Sequence, residues 1–566
     1  MSGYRIKVAP NTVAYADAQN RRLVVEFAIP GAPTDTIDVK ILEDSIHLTA
    51  PARDIEYVSA LALGWPVKPV KAEATYEHGL LRIEVPFKDP MEDAVKVAIK
   101  ASGPDTKAMR LCLINPSNPL VSMVKIRESR WNRYRVWKPL SLMVLAGLTP
   151  REWAISIVDE NLGAPDYPAM PRPDLVGITA FTSQANRAYE VASYFRHLGV
   201  PVIMGGIHAT MCLDEVMERV DSVVTGEAEG VWPQVLEDAL HGRLRRRYDG
   251  GLAEISAVPL ARHDLLATGY AFGAIQTTRG CPLNCTFCSV TAFNGARYRQ
   301  RPISDVVREF QSIREKYVLV VDDNLIGTRP DHIGRAKDLF RAMDQANLRK
   351  EWIAQATVNF ADDEELLALA ARAGCRGVFI GFESPTTEGL LEIGKKFNLL
   401  KGRDFRASVR RIQRHNILVA GSFIIGLDID EPGIGKRIAE VSSRYGVDNL
   451  NVLFLTPLPG TRLWEQMKAE DRIALNAFPE DWRYFTLTYP VARYRHLSLD
   501  AVIQEIVSCN RNFYSLPRVL RRLCSNVWQR RAPLISFVGN ISYRRNSRLD
   551  CKAYADFKYQ RGNRYD

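Results

Sequence analysis

The spacing of apolar residues changes several times along the chain, and each change marks a different kind of element. Over the first hundred residues, short β-branched runs alternate with polar positions: Arg22–Ile29, Ile37–Ile41 with Ile37, Val39 and Ile41 on one face, and Leu80–Val85. Pro30-Gly31 and His78-Gly79 punctuate them. A period of two bounded by turn residues predicts half-buried strands, here an antiparallel β-sandwich over 1–100. The stretch ASGPDTK (101–107) reads as a linker.

Beyond it, continuous apolar runs at 109–116, 154–161, 175–182, 200–208 and 222–227 alternate with amphipathic stretches such as Ala185–His197 and Leu213–Val220. Strands apolar on both faces need cover on both faces. The pattern therefore predicts a parallel, doubly wound, flavodoxin-like α/β domain over 108–250, with its ligand beyond the carboxyl ends of the strands. A second series follows at 272–281, 317–323, 351–357, 377–384, 416–427 and 449–458, with helices over Ile303–Glu315, Ile333–Met343 and Glu364–Ala373. Six such repeats predict a partial (β/α)6 barrel over 268–470. Barrel chemistry gathers at the strand carboxyl ends, where Cys281, Asp322, Asp323, Gln355, Glu383, Ser384, Gly426 and Thr456 fall. The remainder, 471–566, reads as a basic, mainly helical C-terminal region.

Composition narrows the setting. The 566 residues make a multidomain chain, 46% hydrophobic and 25% charged, as globular proteins are. The longest apolar run, Ile417 to Leu427, is broken by Ser422 and is far short of the roughly 18–20 residues that cross a bilayer. The opening MSGYRIKVAP has no signal-peptide core, so a cytoplasmic location is expected. The net charge of +10 belongs to the end of the chain. From Cys509 onward there are 13 Lys and Arg against 3 Asp and Glu, while the preceding residues carry 62 of each sign. Arginines interleaved there with aromatic residues suit a membrane interface or single-stranded nucleic acid. Arg518, Arg521 and Arg522 look helical and able to lie on anionic lipid, so peripheral contact with the inner membrane face is expected, and no specific nucleic acid.

Six of the nine cysteines are scattered, as in a reduced protein. The other three, Cys281, Cys285 and Cys288, share the loop TTRGCPLNCTFC. Three thiolates at this spacing can wrap one metal centre, and soft sulfur selects zinc or an iron–sulfur cluster. Structural zinc wants four closed ligands, and no second C-x2-C or H-x3-H lies nearby. A [4Fe-4S] cluster on three cysteines leaves one iron open to a cofactor or substrate.

The run CPLNCTFC after the first barrel strand resembles the radical S-adenosylmethionine (radical SAM) superfamily over about 270–465. The resemblance implies that the open iron chelates SAM and that reduction cleaves SAM to methionine and a 5′-deoxyadenosyl radical. It implies that Phe287 lies against the adenine, that Glu383 and Ser384 of GFES lie near the SAM ribose or amino group, and that Gly426 of GSFIIGLD borders the adenine. VVDDN (320–324) stands where many members have GGE, so Asp322 and Asp323 face SAM or substrate, or cap a helix. Arg297, Arg299 and Arg301 could hold an anionic group; a solvated basic face is the commoner role of such a run.

Upstream, INPSNPL, KPLSLMVLAGL, DLVGITAFTSQ, IMGGIHAT and VTGEAEG resemble the cobalamin-binding radical SAM branch over roughly 109–245. The Gly205-Gly206 and Gly226 turns would let backbone approach a large flat ligand, and Thr182 and Ser183 would meet amide or phosphate groups of the cofactor. There is no D-x-H-x-x-G motif. His208 accordingly reads as a surface or packed histidine, with cobalamin held without histidine coordination. The first 90 residues (VEFAIPG, IDVKILEDSIHLTA, ATYEHGLLRIEVPFK) resemble the α-crystallin domain of small heat-shock proteins and read as an interaction module.

The resemblances imply a cobalamin-dependent radical SAM methyltransferase acting on an unactivated carbon. Its substrate would be a small molecule or lipid, with lipid favoured by resemblance to enzymes that modify hopanoid or tetraether lipids, and its electron donor an external flavodoxin- or ferredoxin-type protein. A radical SAM enzyme that forms a ring or C–C bond without net methyl transfer is the alternative, and a nonenzymatic chaperone-like or nucleic-acid-binding protein is the alternative of another class. A methylthiotransferase is disfavoured, because only Cys112 and Cys212 lie upstream where that class has a second cysteine trio.

Overall fold

The structure, a computed structural model, describes residues 5–89, 108–118, 120, 138–528 and 533–561. The linker expected at 101–107 lies outside the described residues. The chain divides into two compact units, Met1–Asp105 and Thr106–Asp566.

In the first unit two four-stranded sheets share one core. One runs in the order Ile6–Val8, Ile55–Ala62, Ser45–Ala52, Asp38–Ile41, the other Asn11–Asp17, Arg22–Ala28, Leu80–Pro86, Glu73–Glu77. All pairings are antiparallel except Ile6–Val8 with Ile55–Ala62, which is parallel. Alternate residues turn inward: Val25, Phe27, Leu81 and Ile83 from one sheet meet Ile46, Leu48 and Ala50 from the other. The period of two in the sequence is thus the inside–outside alternation of a sandwich.

The second unit begins with a six-stranded parallel sheet ordered Ala154–Asp159, Arg110–Asn115, Leu175–Thr179, Val202–Gly205, Ser222–Thr225, Arg247–Asp249. The chain reverses its direction of travel across the sheet at the first strand, which makes it doubly wound. Leu111 and Leu113 pack in one layer with Leu142, Trp232 and Leu236. Cys112 and Ile114 pack in the other with Ala188, Ala192 and Phe195. The short sixth strand was not legible in the sequence, and the expected helix from Leu213 to Val220 ends at Met217 and is preceded by another short helix, Ile207–Met211.

A second six-stranded parallel sheet follows strictly in chain order: Phe272–Ile275, Tyr317–Val320, Glu351–Ala356, Cys375–Glu383, Leu418–Ile425, Asn449–Phe454. Among the described residues its first and last strands do not pair, so the sheet is open. Fully buried Phe382 and Phe423 stack at 5.7 Å on its covered face.

The C-terminal region is helical, as expected, but its aromatic residues are largely packed. Helices Leu499–Phe513, Leu516–Trp528 and Pro533–Arg561 follow the sheet, and Phe513, Tyr514, Tyr554 and Phe557 are buried. The Tyr514 hydroxyl donates to the Leu450 carbonyl at 2.7 Å and accepts from the Leu450 N–H at 2.8 Å, tying these helices to the last strand. Arg522 lies over the Phe513 ring at 4.0 Å, and burial pulls its guanidinium down to about 10. Of the region's described aromatics, Phe537 and Tyr559 are exposed.

Candidate active site

The three cysteines lie just past the carboxyl end of the first strand of the second sheet. Their loop is pinned from several sides. Gly280 N–H and the Asn294 amide donate to Asp323 Oδ2 at 2.8 and 3.0 Å. Thr286 N–H donates to Ile393 O at 3.1 Å, Leu463 N–H donates to Thr286 O at 3.1 Å, and Arg462 donates to Asn284 O. Burial raises all three thiols, Cys285 to about 11, against the opposing pull of the Lys395 ammonium. Among the described residues no three His, Cys, Asp or Glu side chains converge as they would around one ion. The buried Asn324 side chain hydrogen-bonds the Cys281 thiol and draws it down against burial. Three soft thiol donors on one pinned loop, one of them beside a buried amide donor, fit a bound iron–sulfur cluster.

Glu383, the last residue of its strand, is buried with φ +66, a conformation that costs a non-glycine residue energy. Its Oε1 accepts from the buried Lys395 ammonium at 3.0 Å. Ser384 lies 3.2 Å from Thr386 Oγ1. Phe287 is half-buried against the core. Gly426 has φ +103, and a side chain there would come within 2.5 Å of the Tyr494 ring, so glycine is required by this close approach.

The ends of the doubly wound strands face a different set of groups. Thr182 is buried and Ser183 half-buried, in a turn contacted by the Glu480–Tyr484 turn of the C-terminal region. Across the same seam, Asn118 donates to Arg483 O at 3.1 Å and Trp482 donates to Glu215 at 3.0 Å. Phe181 beside them is exposed, an apolar surface at the rim that suits a flat macrocycle. Gly205 would tolerate a Cβ at ordinary contact distance, and Gly205 and Gly206 are half-buried. The glycines at 206 and 226 are explained inside the fold: a Cβ would lie 2.7 Å from Thr179 Oγ1 and 2.6 Å from Gly251 O respectively. His208 is packed, its Nε2 2.8 Å from the Tyr189 hydroxyl and its ring T-shaped against Trp482.

Two sets of residues have other roles than those first considered. Asp322 caps no helix; wholly buried, it accepts from Thr277 N–H and Oγ1 at 2.5 Å each, and Asp323 shapes the cysteine loop as above. Of the arginine run, Arg297 is exposed, as on a solvated face, but the other two are not. Arg301 is buried and donates to Glu309 at 2.7 Å, and Arg299 is buried and donates to Glu227 at 2.5 and 2.7 Å.

Glu227 leads to the contact that sequence reasoning missed. It follows the fifth strand of the doubly wound sheet, yet it also accepts from Arg279, two residues before Cys281, at 2.9 Å. Arg279 reaches Glu229 as well, at 2.7 Å. These charges hold the Glu227 carboxyl below its usual range despite burial. Two motifs, VTGEAEG and TTRGC, are thereby one buried clamp that joins the rim of one sheet to the cysteine loop of the other. A groove of about 540 Å³ near Arg196, His197 and Asp221 lies at the opposite ends of these strands and holds none of these groups.

Residues 275–432 match the model of the radical SAM superfamily. With three cysteines on a pinned loop after the first strand of a parallel α/β sheet, that segment is a radical SAM domain. The chain's relatives include methyltransferases and a cyclase, the anaerobic magnesium-protoporphyrin IX monomethyl ester cyclase of Cereibacter sphaeroides, 23% identical over 61% of this chain and 60% of its own length. An uncharacterized methyltransferase of Pyrococcus horikoshii is 28% identical over 68% of this chain and 89% of its own length. The bacteriochlorophyllide d C-12(1)-methyltransferase of Chlorobaculum tepidum is 27% identical over 68% of this chain and 84% of its own. The hopanoid C-2 methylase of Rhodopseudomonas palustris is 27% identical over 59% and 65%. Two solved structures share the fold. The cobalamin-dependent SAM radical enzyme OxsB, with aqua-cobalamin and SAM bound, is 13% identical, covers 98% of this chain and 91% of that one, and gives a TM-score of 0.56. The radical SAM methyltransferase TsrM of Kitasatospora setae, with cobalamin and [4Fe-4S] cluster bound, is 20% identical over 66% and 80%, with a TM-score of 0.52.

Proposed function

We propose that this protein is a cobalamin-dependent radical SAM methyltransferase acting on an unactivated carbon. The observation that carries the reading is the clamp of Glu227 with Arg279 and Arg299, because it sets a doubly wound sheet's ligand-binding rim against a three-cysteine loop. When bound, the cluster supplies the electron that cleaves SAM to a 5′-deoxyadenosyl radical, and the corrin carries the methyl group. In this reading Cys281, Cys285 and Cys288 hold the cluster. Phe287, Glu383, Ser384 and Gly426 surround SAM, with Lys395 holding the Glu383 carboxylate in place. Thr182, Ser183, Gly205, Gly206 and Gly226 border the corrin.

The segment 108–250 serves as the cobalamin domain, 268–470 as the radical SAM barrel, 1–100 as an interaction module, and 471–566 as a wall closing the seam. An external flavodoxin- or ferredoxin-type protein supplies electrons. The substrate is a small molecule, and the hopanoid methylase among the relatives favours a lipid. The protein would act in the cytoplasm, at the inner membrane face.

Anaerobic reconstitution with iron, sulfide and cobalamin tests this. Iron, sulfide and cobalt per chain should match one cluster and one corrin, with both deoxyadenosine and S-adenosylhomocysteine formed from SAM. Deoxyadenosine without cobalt or S-adenosylhomocysteine would transfer the case to a ring- or C–C bond-forming enzyme. Unaltered behaviour after Cys281, Cys285 and Cys288 are changed to Ala would leave a nonenzymatic binding protein.

A further inference from the structure

We propose that the C-terminal helical hairpin docks the protein on an anionic phospholipid bilayer. Leu516–Trp528 and the first half of Pro533–Arg561 run antiparallel, since Arg522 donates to Asn540 at 2.6 Å and Asn526 donates to Ser536 at 2.8 Å. The packed side of the pair is anchored to the sheet: Asn526 donates to Asp448 Oδ1 at 3.0 Å and Asn540 to Asp448 O at 3.2 Å. The other side carries no such cover. Leu516, Leu520, Val527, Phe537 and Ile541 stand between 42% and 60% exposed.

At about 100° per residue, Leu516, Leu520 and Val527 form one line, roughly 130° around from the packed side of their helix. Phe537 and Ile541 form a second line at roughly 120° on theirs, with Arg548 continuing it. In an antiparallel pair the two rotations have opposite sense, so both lines turn to the same side of the hairpin.

Charge selects the occupant. From Leu516 through Arg548 there are eight arginines and no Asp or Glu. Arg522 is spent on Asn540 and the Phe513 ring, whereas Arg548 is exposed on the second apolar line and Arg521 is exposed about 120° around from the first. An ordinary solvated face mixes both signs, and a protein interface would bring acidic partners to match. Apolar residues flanked by cations alone are what an interfacial helix presents to anionic headgroups. No helix among the described residues is long and apolar enough to cross a membrane, so the contact is one of lying on the surface. This inference deepens the proposed meeting with a lipid substrate, and it rests on the hairpin alone.

The test is co-sedimentation of the full chain with phosphatidylcholine vesicles, with and without phosphatidylglycerol, in the absence of SAM and reductant. Binding is expected with the anionic vesicles, at least tenfold weaker with the neutral ones, and weakened as salt rises. The exposed-site variants Leu520→Glu and Phe537→Glu, checked for unchanged circular dichroism and elution volume, should lose that binding at least tenfold. Equal binding to neutral vesicles, undiminished binding by both variants, or no binding at all would overturn the proposal. So would a concentration-dependent dimer that the variants abolish, since the face would then be an interface between copies. None of these readings depends on turnover, so failure here and failure of the methyltransferase assignment are separate results.

Discussion

Changing Glu227 to Gln should loosen the cysteine loop from the doubly wound sheet without emptying the loop. The carboxylate accepts from Arg279 at 2.9 Å, from Arg299 at 2.5 and 2.7 Å, and from Ala253 N–H at 2.9 Å. A neutral amide keeps one acceptor oxygen and turns an N–H2 toward the guanidiniums. Removing one partner of a buried ion pair costs about 3–5 kcal/mol, because the opposite charge stays buried. Here Arg279 retains Glu229, and Arg299 retains the carbonyls of Ala253 at 2.6 Å and Asn294 at 2.9 Å. The loss should therefore sit near the lower end, about 3 kcal/mol. The cysteine ligands are untouched, so iron and sulfide content and SAM cleavage to deoxyadenosine should persist. What should change is registration between the two sheets. The dipolar coupling between a reduced cluster and Co(II) in the loaded enzyme reports it: a narrow distance distribution in the parent protein, a broadened one in the variant. Misplacement by about 1 Å can cost about a hundredfold in rate, so methyl transfer should fall far more than deoxyadenosine formation. A lowered denaturation midpoint with an equally narrow distribution would refute the reasoning, leaving the clamp as stability alone.

Three further outcomes follow from local geometry. Gly426→Ala places a Cβ 2.5 Å from the Tyr494 ring at φ +103 and should cost about 1–3 kcal/mol, read as a lowered denaturation midpoint. Tyr514→Phe leaves the Leu450 N–H and carbonyl without their hydroxyl partner and should cost about 1–3 kcal/mol, with faster proteolytic cleavage in the helices beyond 514. Asp430 is pushed up to about 7, chiefly by burial and further by Glu392 and Glu505, against the N–H groups of Gly426 and Leu427. A raised carboxyl pKa contributes stability that is full below the unfolded value near 4 and lost as pH rises through 7. The parent should thus lose up to about 4 kcal/mol relative to Asp430→Asn between those limits, read as a pH series of denaturation midpoints.

What could be read in the sequence was what lies within one contiguous stretch. Cys281, Cys285 and Cys288 announce themselves by spacing, and the parallel sheets by runs such as Leu111 to Ile114, buried on both faces. The clamp was invisible for the opposite reason: Glu227 and Arg279 are 52 positions apart, and either alone reads as an ordinary surface charge. Arg299 and Arg301 read as a solvated face because composition records a charge but not its partner. Asp322 had the same ambiguity. Its position at a strand end was legible, but its hydrogen bonds to Thr277, which tie the first strand to the second, depend on how neighbouring strands are set in register.

The C-terminal arginines show how a correct observation can point to the wrong atoms. The basic stretch was legible, but the aromatics that made it look interfacial are mostly core: Phe513, Tyr514, Tyr554 and Phe557 are buried. The aliphatic residues Leu516, Leu520 and Val527 took the exposed positions instead. Elsewhere in the chain the balanced charges are largely matched locally, as in Arg187 with Glu160, Arg299 with Glu227 and Arg472 with Asp428. A matched pair has little field beyond a Debye length of about 8 Å at physiological salt, whereas an unopposed cluster does. Long-range attraction to an anionic surface should therefore turn the molecule hairpin first, and salt should weaken vesicle binding while leaving deoxyadenosine formation in solution nearly unchanged.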